Sequence, residues 1–243
     1  MDPGIAHRAA IGVIVLATDQ TIEYEYRKIF RIDGVALYES RIANSPEINP
    51  VTLARMEQGL TEAAAVIRPG VPMDVVAYGC TSGTVVIGEE TVFRRIREAW
   101  PQAKCTTPIT GAIAGFKAMG VKRIALLTPY IDSVNRLFRT FVQDRGIEVP
   151  VIGSFNHEND NDVARISQDS IRRAALELGL GRHPAVDAVF VSCTSIRVAE
   201  AAKTLESELG KPVTSSNHAM AWHALRLAGI NDPMPEWGRL FTV

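Results

Sequence analysis

"DVVAYGCTS" spans Asp74–Ser82, and "DAVFVSCTS" spans Asp187–Ser195. Aspartate, valine, cysteine, threonine and serine fall on matching positions 113 residues apart, from Cys80 to Cys193. The match extends outward at the same spacing: "IGVIVLATD" (Ile11–Asp19) aligns with "IALLTPYID" (Ile124–Asp132). A looser third pair is "KCTTPITGAIAGFKAMG" (Lys104–Gly120) and "KPVTSSNHAMAWHALRLAG" (Lys211–Gly229), each a short strand, a polar loop and a glycine-closed helix. Self-similarity at about half the chain length points to two related lobes rather than a solenoid.

Strands alternate with helical patterns within each half. Helical periodicity marks Val51–Ile67, Glu89–Trp100, Ser133–Gly146, Ser167–Gly181 and Val198–Gly210. Such alternation predicts parallel sheets covered by helices, an α/β class of two Rossmann-like lobes related by a pseudo-two-fold axis. The run "VVAY" is apolar throughout, as a strand buried on both faces should be. The expected boundaries are residues 1–112 plus 215–243 for the first lobe and 113–214 for the second, with the active site in the cleft between them.

Composition narrows the function. Lys+Arg 26 balance Asp+Glu 27, a net charge of −1, so nothing electrostatic calls for nucleic acid or an anionic membrane as partner. No window of 18 consecutive apolar residues exists, and "MDPGIAHRAA" lacks the basic start and apolar run of a signal peptide. The expectation is a cytoplasmic protein acting on a small molecule, with homo-oligomer formation left open. The three cysteines, Cys80, Cys105 and Cys193, form no C-x-x-C and have no short-range His partners, so neither a disulfide framework nor a metal site is expected. His157 and Asp160 have no second ligand cluster beside them. No G-x-G-x-x-G or P-loop is present, so no cofactor is expected.

Ligands of open α/β sheets bind beyond the carboxyl ends of the strands, where Cys80 and Cys193 both fall. Thr81–Ser82 and Thr194–Ser195 carry hydroxyls and amides into loop-to-helix turns suited to a carboxylate. Two thiols facing one substrate solve a particular problem. Inverting a carbon beside a carboxylate needs a base on one face and an acid on the other. A helix N-terminus can lower a thiol's pKa toward that task, and the two Thr-Ser turns can stabilise enolate charge. Cys105, in "AKCTTP", has no partner motif and reads as a core or loop cysteine.

The paired G-C-T-S and S-C-T-S motifs resemble the cofactor-independent aspartate/glutamate racemase superfamily. Within it the chain is similar to the branch of maleate cis–trans isomerase, arylmalonate decarboxylase and the racemase-like proteins of ectoine utilisation. Supporting matches are "GVKRIALLTPYID" (Gly120–Asp132), "DNDVAR" (Asp160–Arg165) and "KPVTSSN" (Lys211–Asn217). The resemblance implies two α/β lobes, Cys80 and Cys193 as the catalytic pair, and Tyr130 of Thr128-Pro129-Tyr130 as a substrate-carboxylate contact. Asn159 and Asn161 both fall near the family's binding Asn, and the choice stays open. Ser216 and Asn217 are hydrogen-bonding candidates, ahead of His218, which reads better as packing or capping. The decarboxylases keep only the second cysteine, so a chain with both does not look like a dedicated decarboxylase.

One departure bears on the substrate. Maleate isomerases carry Asn after the first strand, whereas this chain reads "LATDQT" with Asp19 in that place. An ionised Asp repels a substrate carboxylate and favours an ammonium or amide N–H, unless it only caps the helix "TIEYEYRKIF". The expectation is a racemase or isomerase of a small carboxylate, an amino acid or N-acyl derivative. Cis–trans isomerisation through a covalent Cys adduct and a non-catalytic carboxylate-binding protein remain the alternatives. The ectoine-utilisation resemblance puts diaminobutyrate and its N-acetyl derivative first among substrates.

Overall fold

The computed structural model describes residues 1–181 and 185–243. Two four-stranded parallel sheets form its frame. The first contains β1 (Ala9–Leu16), β2 (Val35–Ile42), β3 (Val75–Gly79) and β4 (Lys104–Thr106) in the order β2-β1-β3-β4. The second contains β5 (Arg123–Thr128), β6 (Glu148–Ser154), β7 (Ala188–Val191) and β8 (Val213–Ser215) in the order β6-β5-β7-β8. Register repeats along with order: Ile11 pairs with Val75 in one sheet, and Ile124 with Ala188, at the equivalent positions, in the other.

Every residue of β1 is buried, as is every residue of β3 and β7, because helices cover both faces of the central strands. The edge strand β2 instead alternates buried and open positions along its second half. The repeated aspartate does one job in both halves. Asp74 Oδ2 accepts from the Ala10 amide at 2.8 Å, and Asp187 Oδ2 accepts from the Arg123 amide at 2.9 Å. Their own amides donate to the Ala10 and Arg123 carbonyls. Each carboxylate thus closes the open start of the central strand pair, where the ladder leaves a donor unpaired.

The helices Pro108–Ala118 and Ser216–Leu227, which follow β4 and β8, pack against each other. They approach so closely that a Cβ on Gly111 would meet the Ala219 carbonyl oxygen at 2.5 Å. Only glycine permits that contact, which joins equivalent helices of the two halves. The helical pattern expected over Val51–Ile67 is broken in the structure. Helix Pro50–Arg55, opened by an Asn49 capping box, runs into a 3₁₀ turn at Met56–Gly59 and then helix Leu60–Ala65. Among the described residues no helix is long and apolar enough to cross a membrane.

Candidate active site

Chain order delivers the two cysteines to the same place. Cys80 follows β3 and is the N-cap of helix Thr81–Ile87; its Sγ accepts from the Gly83 amide at 3.2 Å. Cys193 lies two residues beyond β7, with a φ of 101°, a conformation costly for any residue with a side chain. Both thiols line one small cavity. Thr81 and Ser82 from the first lobe share it with Tyr130 and Thr194 from the second. The remaining wall is Leu16, Ile48, Leu53 and Met56, with Asn44, Ser45, Glu47, Thr52 and Asp160 adding polarity.

The two Cys turns are bonded to each other. Ser216 Oγ accepts from the Cys193 amide at 2.9 Å and shares a 2.7 Å hydrogen bond with Thr81 Oγ1. Thr194 Oγ1 donates to the Gly79 carbonyl at 3.4 Å. Asn217 Nδ2 donates to the Thr194 carbonyl and to Glu25 Oε2, both at 2.8 Å. Glu25 Oε1 accepts from the Val198 and Ala199 amides, also at 2.8 Å, so a first-lobe carboxylate holds the segment that follows Cys193. Ser216 and Asn217 are thus behind the cavity wall, fixing the turns, rather than among the residues that line it.

A strap closes the cavity from above. The chain after β2 pairs with the loop after β6: the Ile48 amide donates to Glu158 O at 2.7 Å, and the Asp160 amide to Pro46 O at 2.8 Å. A short antiparallel bridge joins Glu47 to Asn159. This register decides which residue of "NHENDND" enters the cavity. Asn159 caps helix Asp160–Val163 through its own side chain, and Asn161 is exposed, accepting from Gln20 Nε2 at 3.0 Å. Asp160, between the two, lines the cavity and is only 5% exposed. Its Oδ1 accepts the Ser195 hydroxyl at 2.7 Å, and its Oδ2 the Thr18 hydroxyl at 2.5 Å.

Asp19 is buried and does not line the cavity. Its Oδ1 accepts from the Thr21 and Ile22 amides, both at 2.8 Å, which caps helix Ile22–Ile29. Its Oδ2 has no hydrogen-bond partner. Burial, ahead of any other influence, pushes the Asp19 carboxyl up, although the amides of Ile22 and Thr21 pull it down. His218 is fully buried, with Thr214 Oγ1 at 2.9 Å and the Trp237 carbonyl at 2.7 Å, and burial depresses its pKa to about 4. It is a neutral packing residue. Cys105 lies in β4, away from the cavity.

The thiols behave differently from the expectation set by their helix ends. Burial pushes Cys80 up to about 11, and the Gly83 amide only partly offsets it; the nearby charge of Asp160 adds to the rise. Burial likewise carries Cys193 well above the usual thiol range, with Asp160 and Asp19 adding to it. Desolvation of the thiolate outweighs the pull of a single amide. Tyr130, 3.4 Å from Ser192 Oγ and also raised by burial, stays a protonated phenol beside the sulfurs. In the first turn of helix Thr81–Ile87, the Thr81 and Ser82 amides have no helical acceptor and can receive an anion. Among the described residues no cluster of His, Cys, Asp or Glu is arranged to hold a metal ion.

Comparison with known proteins adds the lineage. The arylmalonate decarboxylase family model matches residues 88–241, which is more than half of the chain. The chain belongs to the arylmalonate decarboxylase family. It is 33% identical over 138 residues to the arylmalonate decarboxylase of Bordetella bronchiseptica, covering 56% of this chain and 57% of that enzyme. It is 25% identical over 240 residues to the maleate isomerase of Nocardia farcinica, covering 95% of this chain and 94% of the relative. The solved structure of the N. farcinica maleate cis–trans isomerase with a bound succinylcysteine intermediate matches with a TM-score of 0.86. That match has 22% identity and covers 96% of this chain and 98% of the isomerase. The expected racemase-type superfamily and its two-lobed α/β fold hold, and the chain sits among enzymes of the isomerase class.

Proposed function

We propose that this protein transfers protons at a carbon next to a carboxylate, using Cys80 and Cys193 on opposite faces of the substrate. The observation that carries this reading is the meeting of two Cys-Thr-Ser turns, one from each lobe, at a single small cavity. A pure binding site has no use for a thiol from each lobe. In the reaction one sulfur, as thiolate, takes the α-proton. The other, as thiol, returns a proton to the opposite face. The Thr81 and Ser82 amides, with the Tyr130 phenol, receive the substrate carboxylate and the negative charge that grows on it. The substrate class that fits is an amino acid or an N-acyl derivative.

Raised thiols set the conditions for turnover. With Cys80 at about 11, forming its thiolate at neutral pH costs about 5 kcal/mol, at ~1.4 kcal/mol per unit. The substrate must supply part of that difference by adding positive charge or donors to the cavity. A second reading is favoured by the relatives themselves. One cysteine, as thiolate, adds to the double bond of maleate while the other thiol protonates the neighbouring carbon. The adduct rotates about the resulting single bond, and removal of a proton from that carbon expels the thiolate and releases the trans acid. The covalent cysteine adduct in the N. farcinica structure belongs to chemistry of that kind.

One experiment separates the readings. Amino acids, N-acyl amino acids and maleate are incubated with the protein in deuterated water and followed by proton NMR. Racemisation replaces the α-proton with deuterium; cis–trans isomerisation instead converts the maleate signal to fumarate. Cys80→Ser and Cys193→Ser should each lose α-exchange by at least a hundredfold, because serine is too weak an acid and base at neutral pH. Full exchange in either variant, or conversion of maleate with no α-exchange on any amino substrate, excludes the two-thiol proton transfer.

A further inference from the structure

We propose that Asp160 is the specificity residue of this cavity and that it selects substrates bearing a protonated amine over nitrogen-free acids of the same shape. The proposal deepens the function above and rests on the same cavity being the substrate site.

Four observations lead to it. First, Asp160 is held in the cavity wall by hydroxyls from both lobes, Thr18 on one oxygen and Ser195 on the other. Thr18 is itself fixed by Asn44 Nδ2 at 2.8 Å. A carboxylate oxygen accepts along more than one direction, so each oxygen keeps capacity for a further donor. Second, no cation answers this charge. Among the described residues Asp160 is in no salt bridge, and the cavity lining contains no Lys, Arg or His. Third, the titratable side chains around it other than thiols and phenols are acids. Glu47 is at the exposed rim, and Asp19 and Glu25, both raised by burial, lie behind the wall. Fourth, Asp160 acts on both reacting groups at once, since its charge raises both Cys80 and Cys193.

These facts assign different outcomes to different ligands. A dicarboxylate adds two negative charges to a wall that has acids and no base, and is repelled. An amino acid puts its carboxylate on the helix amides and its ammonium on Asp160, where the charge-assisted bond forms out of bulk water. The pairing also offsets Asp160's share of the rise in both thiols, a smaller share than that of burial, so the thiolate forms more readily when the right substrate is present. The groups facing the thiols are Tyr78 on β3, Tyr130 after β5, Asp19 and Asp160 at the lobe junction, and the opposite cysteine. Of the two carboxylates in that set, only Asp160 lines the cavity.

The test compares the parent with Asp160→Asn and Asp160→Ser. Far-UV circular dichroism and the urea midpoint serve as checks that each variant is folded. Ligands are paired by the presence of an amine: aspartate with succinate, alanine with propionate, 2,4-diaminobutyrate with butyrate. Binding is read as protection of Cys80 and Cys193 from iodoacetamide, resolved by peptide mass spectrometry. In the parent, at least one amine member should protect better than its nitrogen-free partner. That preference should fall by about tenfold to a hundredfold in both variants, the worth of a charge-assisted hydrogen bond. Without ligand, both variants should alkylate at Cys80 and Cys193 faster than the parent at pH 8, while Cys105 is unchanged. The proposal is overturned if no amine ligand protects the parent, if the preference survives in the variants, or if ligand-free alkylation is unaltered. No α-deuterium exchange in the parent, alongside an amine preference that the parent shows and both variants lose, would instead sink the two-thiol reaction and leave the selection standing.

Discussion

Two carboxylates next to the thiols divide tasks that residue type alone could not separate. Asp19 has the sequence position that suggests a substrate contact, yet one of its oxygens is committed to two helix amides and the residue lies behind the wall. Asn in its place keeps Oδ1 as the cap acceptor. Asp19→Asn is therefore expected to move the aspartate-over-succinate preference by less than about threefold, far below the shift expected at Asp160 for loss of a charge-assisted bond. Measuring both variants in one protection assay checks the division, and equal shifts would refute it. The thiols make a second expectation. With Cys80 at about 11, its alkylation by iodoacetamide should be slow at neutral pH and rise about tenfold per pH unit up to about 11. A plateau near pH 8.5 would mean that burial does not control the sulfur.

At the scale of the element, helix Ile22–Ile29 turns a carboxylic acid toward the core. Its buried stripe is Ile22, Glu25, Tyr26 and Ile29, so an acid occupies an apolar position. That spacing was visible in the sequence; the partners were not, because Val198, Ala199 and Asn217 lie far away along the chain. Burial raises Glu25 from 4.5 to about 7, against the pull of Asn217 and the two amides. The folded state thus binds this proton more tightly than the unfolded chain does. The contribution to stability is full below pH 4.5 and is lost as pH rises to about 7, a change of about 3 kcal/mol. Urea unfolding of the parent relative to Glu25→Gln should show that loss with rising pH across the window. The neutral His218, whose depressed pKa weakens stability at acid pH, is common to both proteins and cancels in the difference. A pH-independent difference would show that Glu25 is ionised throughout. The same lesson applies to "NHENDND". The sequence offered Asn159 and Asn161 as contacts, and Asp160 only as a metal ligand without partners. The strap register, Ile48 to Glu158 and Asp160 to Pro46, turned the intervening residue inward. Pairing between segments so distant in sequence leaves no local pattern to read.

For the whole molecule, duplication was legible because it writes the same residues at the same intervals, down to the aspartate that closes each central strand pair. What it concealed was the inequality of the two copies. Cys80 has an extended backbone and caps a regular helix, whereas Cys193 is at a φ of 101° in a turn held by Asn217 and by Glu25 of the other lobe. In the proposed reaction the two sulfurs would meet the substrate from settings of different stiffness and acidity, so proton abstraction from one face and from the other would not share one barrier. Mirror-image substrates, however, have equal free energy in water, and an enzyme cannot change that equality. For a racemase built this way, the turnover numbers of the two enantiomers should differ, and their Michaelis constants should differ by the same factor. Progress curves started from either pure enantiomer would then have different shapes and arrive at the same optically inactive mixture. Equal turnover numbers from both directions would mean that the strained turn leaves no trace in the rate-limiting step.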